Sequence, residues 1–108
     1  MSVEARFATV ATGLVANDET VEQGPMLHAP GLKTSGRFFA FATPEDIVVK
    51  LPAERVQELI ASGTGRPCAI RKGAPMREWV RLIPDSDQAC AAYLIEGRDF
   101  VAGQPRKP

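Results

Sequence analysis

Two early stretches of the chain place apolar residues at the spacing of one helix face. The first helix is predicted from Val3 to about Ala16, after Ser2, which is a good N-cap residue. The second is predicted after Pro52, which suits a first helical turn, and ends before Gly63. The residues that define the two apolar stripes are Val3, Phe7, Val10 and Leu14, and then Val56, Leu59 and Ile60.

A third helix is predicted near the end of the chain. Asp85 and Gln88 have the spacing of a capping box, and apolar residues continue the helical period to about Ala102. Gly97 lies within this helix, where glycine costs about 1 kcal/mol relative to alanine.

The clearest strand pattern surrounds Ser35-Gly36. The flanking runs Leu32–Thr34 and Arg37–Ala42 are joined by this pair, in which glycine readily reaches positive φ, so a β-hairpin is predicted. Simple alternation along the second run places Phe39 and Phe41 on one face, and Phe38 with the two alanines on the other.

Further strands are predicted at Thr20–Leu27, Ile47–Leu51 and Glu78–Ile83. In the first of these, Gly24-Pro25 indicates a sheet edge or a bulge. The segment after the second helix has no clear period and is predicted to be a loop, with a possible short strand at Cys68–Arg71. The expected fold is therefore α+β, with about three helices and a mostly antiparallel sheet of 4–5 strands, in the order helix, strands, helix, strand, helix.

Length and composition indicate one globular domain. The chain has 108 residues, 44% of them hydrophobic, which is enough for one core and too little for two. Residues 1–102 are predicted to form this domain, and residues 103–108 a disordered tail. Thirteen basic residues balance thirteen acidic ones, so no global charge attracts nucleic acid or an acidic membrane.

The start of the chain lacks the pattern of a secretory signal, and Cys68 and Cys90 are its only cysteines. A reduced, cytoplasmic location is expected. The longest charge-free stretch, residues 7–17, is too short to cross a bilayer, so neither a membrane span nor a membrane partner is expected.

No residue pattern in the sequence indicates catalysis. His28 is the only histidine and has no nucleophile motif near it, and one histidine with two distant cysteines provides no zinc-binding spacing. Cys68 lies near Arg66 and Arg71, which could lower the pKa of its thiol, but no base or second cysteine accompanies it. Cys90 is expected in the core. We expect no enzyme activity, no cofactor and no metal.

One basic cluster interrupts the neutral charge pattern. Its cations are Arg66, Arg71, Lys72, Arg77 and Arg81, with Glu78 the only acid among them. Such a segment could contact phosphates, with Trp79 stacking on a base. The favoured alternative is a solvated loop with Trp79 buried.

Three stretches carry a resemblance to a known family, and they are Gly31-Leu32-Lys33-Thr34-Ser35-Gly36-Arg37-Phe38-Phe39-Ala40-Phe41, Leu51-Pro52-Ala53-Glu54-Arg55-Val56 and Pro75-Met76-Arg77-Glu78-Trp79-Val80. From about Glu22 to Val101 the chain resembles the N-terminal domain of the TfoX/Sxy competence regulators and the similar MmcQ/YjbR-like proteins. The resemblance implies a compact α+β fold, no catalytic residues, and in the MmcQ/YjbR group a suspected DNA-binding role. The segment Met26–Pro30 departs from the family pattern, and the second, C-terminal domain of full-length regulators is not expected.

Three hypotheses follow for function. The leading one is a non-enzymatic, TfoX-like domain that acts in regulation by contact with a protein. The second is nucleic-acid binding through the basic segment from Arg66 to Arg81. The third is small-molecule binding, or a minor enzyme, in an aromatic pocket lined by Phe38, Phe41 and Trp79. A monomer or a homodimer paired through an edge strand fits each of them.

Overall fold

The structure is a computed structural model that describes residues 2–26, 29–68 and 76–104. Within these residues the chain forms three helices and six strands. The helices are α1 (Val3–Asn17), α2 (Ala53–Ala61) and α3 (Asp87–Ala102). The strands are β1 (Val21–Met26), β2 (Ala29–Thr34), β3 (Arg37–Ala42), β4 (Ile47–Lys50), β5 (Gly65–Pro67) and β6 (Trp79–Leu82).

The six strands form one sheet in the order β1-β2-β3-β4-β6-β5, and every neighbouring pair is antiparallel. The predicted α+β class and element order are confirmed, although the sheet has six strands and not 4–5. The additional strand is β5, which lies just before the predicted short strand at Cys68–Arg71, whose residues 69–71 fall outside the described part. Both edge strands contain a proline, Pro25 in β1 and Pro67 in β5.

The hairpin between β2 and β3 contains a bulge that the sequence did not predict. Its turn is confirmed, since Ser35 and Gly36 both have positive φ, at 51° and 82°. Leu32 pairs with Ala40 whereas Lys33 pairs with Phe38, so Phe39 is an extra residue. Phe39 and Ala40 therefore both pack in the main core, while Phe38 and Phe41 share the opposite face. The predicted pairing of Phe39 with Phe41 on one face is wrong for this reason.

Side-chain caps fix where the two longer helices begin. The predicted Ser2 cap is confirmed, because its Oγ accepts a hydrogen bond from the Ala5 N–H at 3.1 Å. At α3 the cap is Ser86, whose Oγ accepts from the Ala89 N–H at 3.0 Å. The predicted capping box of Asp85 and Gln88 is thus wrong by one residue.

All three helices pack on one face of the sheet, over a core that contains residues of each helix and of the strands. Gly97 is buried where α3 crosses this face. An added Cβ would lie 2.6 Å from Val49 Cγ1 and 3.2 Å from the Lys50 carbonyl oxygen. Glycine is therefore what allows α3 to approach β4 so closely. None of the described helices is long and apolar enough to span a membrane.

Candidate functional site

The other face of the sheet carries a second apolar cluster to which no described helix residue contributes. We call it the helix-free face. Val48, Cys68 and Trp79 are buried in its cluster, and four partly buried residues pack against them. These four are Met26, Phe38, Phe41 and Met76.

Aromatic rings form the centre of this face. Trp79 is only 7% exposed and packs against Phe41, with ring centroids 5.8 Å apart and the planes tilted by 50°. The Lys50 ammonium lies 5.9 Å from the Trp79 ring centroid, and the Lys33 ammonium lies 5.5 Å from that of Phe38. The rings that a partner could touch are therefore Phe38 and Phe41, which both remain partly exposed.

Gly31 in β2 determines how Phe38 lies on the sheet. An added Cβ at Gly31 would lie 2.9 Å from the Gly24 carbonyl oxygen and 3.0 Å from Phe38 Cε1. Because no side chain occupies this space, the Phe38 ring can approach the backbone of the neighbouring strand closely. The bulge at Phe39 and the glycine at position 31 together place both exposed rings on the helix-free face.

A buried carboxylate organises the β5 end of this face. Asp46 is 1% exposed and accepts a hydrogen bond from Thr43 Oγ1 at 2.7 Å. Arg81 Nη1 lies 3.2 Å from both carboxylate oxygens, and Arg66 Nη2 lies 3.4 Å from Oδ2. Since a buried carboxylate requires compensating charge, the two guanidinium groups stabilise Asp46 in place.

The basic residues that the sequence analysis grouped together therefore have different environments in the structure. Arg66 and Arg81 share Asp46, and Trp79 is buried against Phe41 and not free to stack on a base. Arg77 is exposed at the start of the β6 segment. Arg71 and Lys72 lie outside the described residues. Asp46 was not among the candidate residues of the sequence analysis, because its carboxylate meets the two arginines only in the folded chain.

The two thiols lie in protected positions. Burial raises the pKa of Cys68, and the nearby Arg81 guanidinium offsets this only in part. Burial also raises the pKa of Cys90, to about 11. The hypothesis of a lowered thiol pKa at Cys68 is thus wrong, because desolvation outweighs the basic neighbours, whereas the predicted core position of Cys90 is confirmed.

Other candidate chemistry has little structural support. Among the described residues no three His, Cys, Asp or Glu side chains are grouped so that they could hold a metal ion. His28 lies outside the described residues. A cavity of about 570 Å³ borders Trp79, but its described lining includes neither Phe38 nor Phe41. The three rings share the helix-free face, but this cavity does not join them, and small-molecule binding in an aromatic pocket stays a prediction.

Comparison of the chain with protein-family models, curated proteins and solved structures finds no match. The resemblance to the TfoX/Sxy N-terminal domain stays a prediction from the residues quoted above.

Proposed function

We propose that this protein is a non-enzymatic binding module that holds a protein partner on the helix-free face of its sheet. The observation that carries the proposal is the position of Phe38 and Phe41, which are partly exposed on the face that no described helix covers. Aromatic side chains grouped on a surface are enriched where proteins bind one another.

Charge on this face indicates the chemistry of the partner. Cross-strand pairing puts more cations than carboxylates beside the aromatic rings. The cations are Lys33, Lys50, Arg66 and Arg81, and the carboxylates are Glu22 and Asp46. A partner segment with apolar side chains flanked by Asp or Glu fits such a surface, because opposite charges suit the rim of an apolar contact.

The same charges disfavour two other occupants. A second copy placed face to face would bring cations against cations, which costs binding energy. Nucleic acid would need many phosphate contacts, yet among the described residues of this face the four cations exceed the two carboxylates by only two charges, and the whole chain has no net charge. The TfoX-like resemblance also favours a domain without catalytic residues.

Selection from a random peptide library tests the proposal. We expect the selected peptides to combine aromatic or large aliphatic residues with Asp and Glu, and to bind more weakly as salt is raised. Isothermal titration with one synthetic peptide then compares Phe38→Ala with Ile95→Ala, which removes an apolar side chain that is 37% exposed on α3.

Phe38→Ala should weaken peptide binding by about tenfold or more, and Ile95→Ala should leave it unchanged. Equal affinity for the two variants would contradict the proposal. So would selection of peptides without acidic residues, or tighter, salt-dependent binding of a single-stranded oligonucleotide measured by fluorescence anisotropy.

A further inference from the structure

A cavity of about 570 Å³ is bordered by α2 on one side and by residues 76–79 on the other. Its described apolar lining comes from Val56, Ile60, Pro67, Met76 and Trp79. The volume falls within the 300–1,000 Å³ typical of small-molecule sites, which are mostly apolar with a few polar groups. Methionine adds adaptability to such a lining, because its side chain is unbranched and flexible.

Polar groups also line this cavity and the recess beside it. Gln57 and Arg77 complete its described lining, and a neighbouring recess of about 440 Å³ shares Arg77 and adds Lys50 and Glu78. Arg77 is exposed and has no carboxylate partner within the described part of the chain. Among the described lining residues, the two cations exceed the one carboxylate by a single positive charge.

We propose that this cavity binds a small amphiphilic anion, with its aliphatic or aromatic body among the apolar side chains and one carboxylate at Arg77 and Lys50. Burial of the body removes apolar surface from water, and a guanidinium binds a carboxylate through paired N–H donors. The Gln57 amide, which also lines the cavity, offers one further donor or acceptor. The site shares Lys50, Met76 and Trp79 with the helix-free face, but its described lining includes neither Phe38 nor Phe41, so Phe38→Ala distinguishes protein binding from ligand binding.

The position of Trp79 provides a direct readout. It is the only tryptophan of the chain and borders the cavity, so its fluorescence reports on what enters. Anilinonaphthalene sulfonate, an aromatic anion, serves as the first probe, because it accepts excitation energy from a nearby tryptophan. We expect energy transfer from Trp79 to saturate at one probe per folded chain.

Competition experiments then distinguish the contribution of the ligand's charge to binding from that of its apolar body. Decanoate, decanol and decylamine share one chain and differ in the head group. Decanoate should displace the probe about tenfold better than decanol, since a hydrogen bond to a charged group contributes about 1.5–3 kcal/mol, and decylamine should compete least. Equal competition by the three compounds would overturn the assignment of an anion site.

Variants locate the site. Arg77→Gln should remove the preference for decanoate over decanol, and Ile60→Phe should fill the cavity and abolish probe binding. Phe38→Ala, which tests the protein-binding face, should leave probe binding unchanged. Circular dichroism melting confirms that each variant is folded. Probe binding that survives Ile60→Phe in a folded protein, or no energy transfer in the wild type, would refute the proposal.

Discussion

Replacement of Gly97 by alanine separates helix propensity from packing. In an isolated helix, Gly→Ala stabilises by about 1 kcal/mol. In α3, however, the new methyl group would lie 2.6 Å from Val49 Cγ1 and within 3.3 Å of two carbonyl oxygens, those of Lys50 and Phe39. We therefore expect Gly97→Ala to destabilise the protein.

The stability lost in Gly97→Ala depends on how far the atoms around the new methyl group can move. Val49 is fully buried, and its branched side chain has little rotamer freedom, while the two carbonyl groups belong to the backbone of β3 and β4. Overpacking of this kind costs about 1–3 kcal/mol, and we place Gly97 at the upper end. After subtraction of the helix-propensity gain, a net loss of about 2 kcal/mol remains, or a Tm lower by about 8 °C.

Urea unfolding followed by circular dichroism measures this loss. Gly13→Ala in α1 is the matched control, because nothing lies within 4 Å of an added Cβ there, so it should stabilise by about 0.5–1 kcal/mol. Adding Val49→Ala to Gly97→Ala should give a smaller loss than the sum of the two single variants. A gain in stability from Gly97→Ala equal to that from Gly13→Ala would refute the packing argument.

Three other predictions follow from polar contacts of the described residues. Asp46→Asn should lower the free energy of unfolding, measured by urea titration, by about 2 kcal/mol. This is less than the 3–5 kcal/mol typical of breaking a fully buried ion pair, because Arg81 is 33% exposed. Ser86→Ala should lower the free energy of unfolding by about 1 kcal/mol, because it removes the α3 cap, whereas Asp85→Ala should change it little. A larger loss from Asp85→Ala than from Ser86→Ala would instead support the capping box predicted from the sequence. The Cys90 thiol has its ordinary pKa of 9.0 in the unfolded chain and a pKa of about 11 in the folded protein. Between these two values the thiol ionises in the unfolded chain only, which favours unfolding. The free energy of unfolding should therefore fall as the pH rises from 9 to 11. Comparison of melting curves with those of Cys90→Ala isolates this contribution, and an identical slope in both proteins would contradict it.

The sequence predicted those parts of the fold that depend on interactions between residues close together in the chain. The Ser2 cap, the Ser35-Gly36 turn and the apolar stripe of α2 each depend on residues close together in the chain, and all three are present. The bulge at Phe39 could not be predicted in this way, because it is a mismatch between two strands and not a property of either. The short strand β5 was missed for the same reason, since only its pairing with β6 makes it a strand.

The candidate site was predicted less well than the fold. Sequence reasoning identified Arg66, Arg81 and Trp79 as a cluster but not the group that controls the two arginines. Asp46 lies 20 residues before Arg66 and 35 before Arg81. Neutralisation of cations by a distant carboxylate depends on tertiary contact, so a count of charges along the chain overestimates those that remain free for a partner.

The prolines at the two edges of the sheet limit how these molecules can associate. Each outermost strand carries a residue without an N–H group, Pro25 at one end of the sheet and Pro67 at the other. A strand from another molecule that docks there meets a gap in the ladder of donors, so continuous growth of the sheet from molecule to molecule is disfavoured. The protein binding that we propose for the broad helix-free face would therefore leave the sheet edges resistant to strand-by-strand polymerisation, even where identical chains are concentrated.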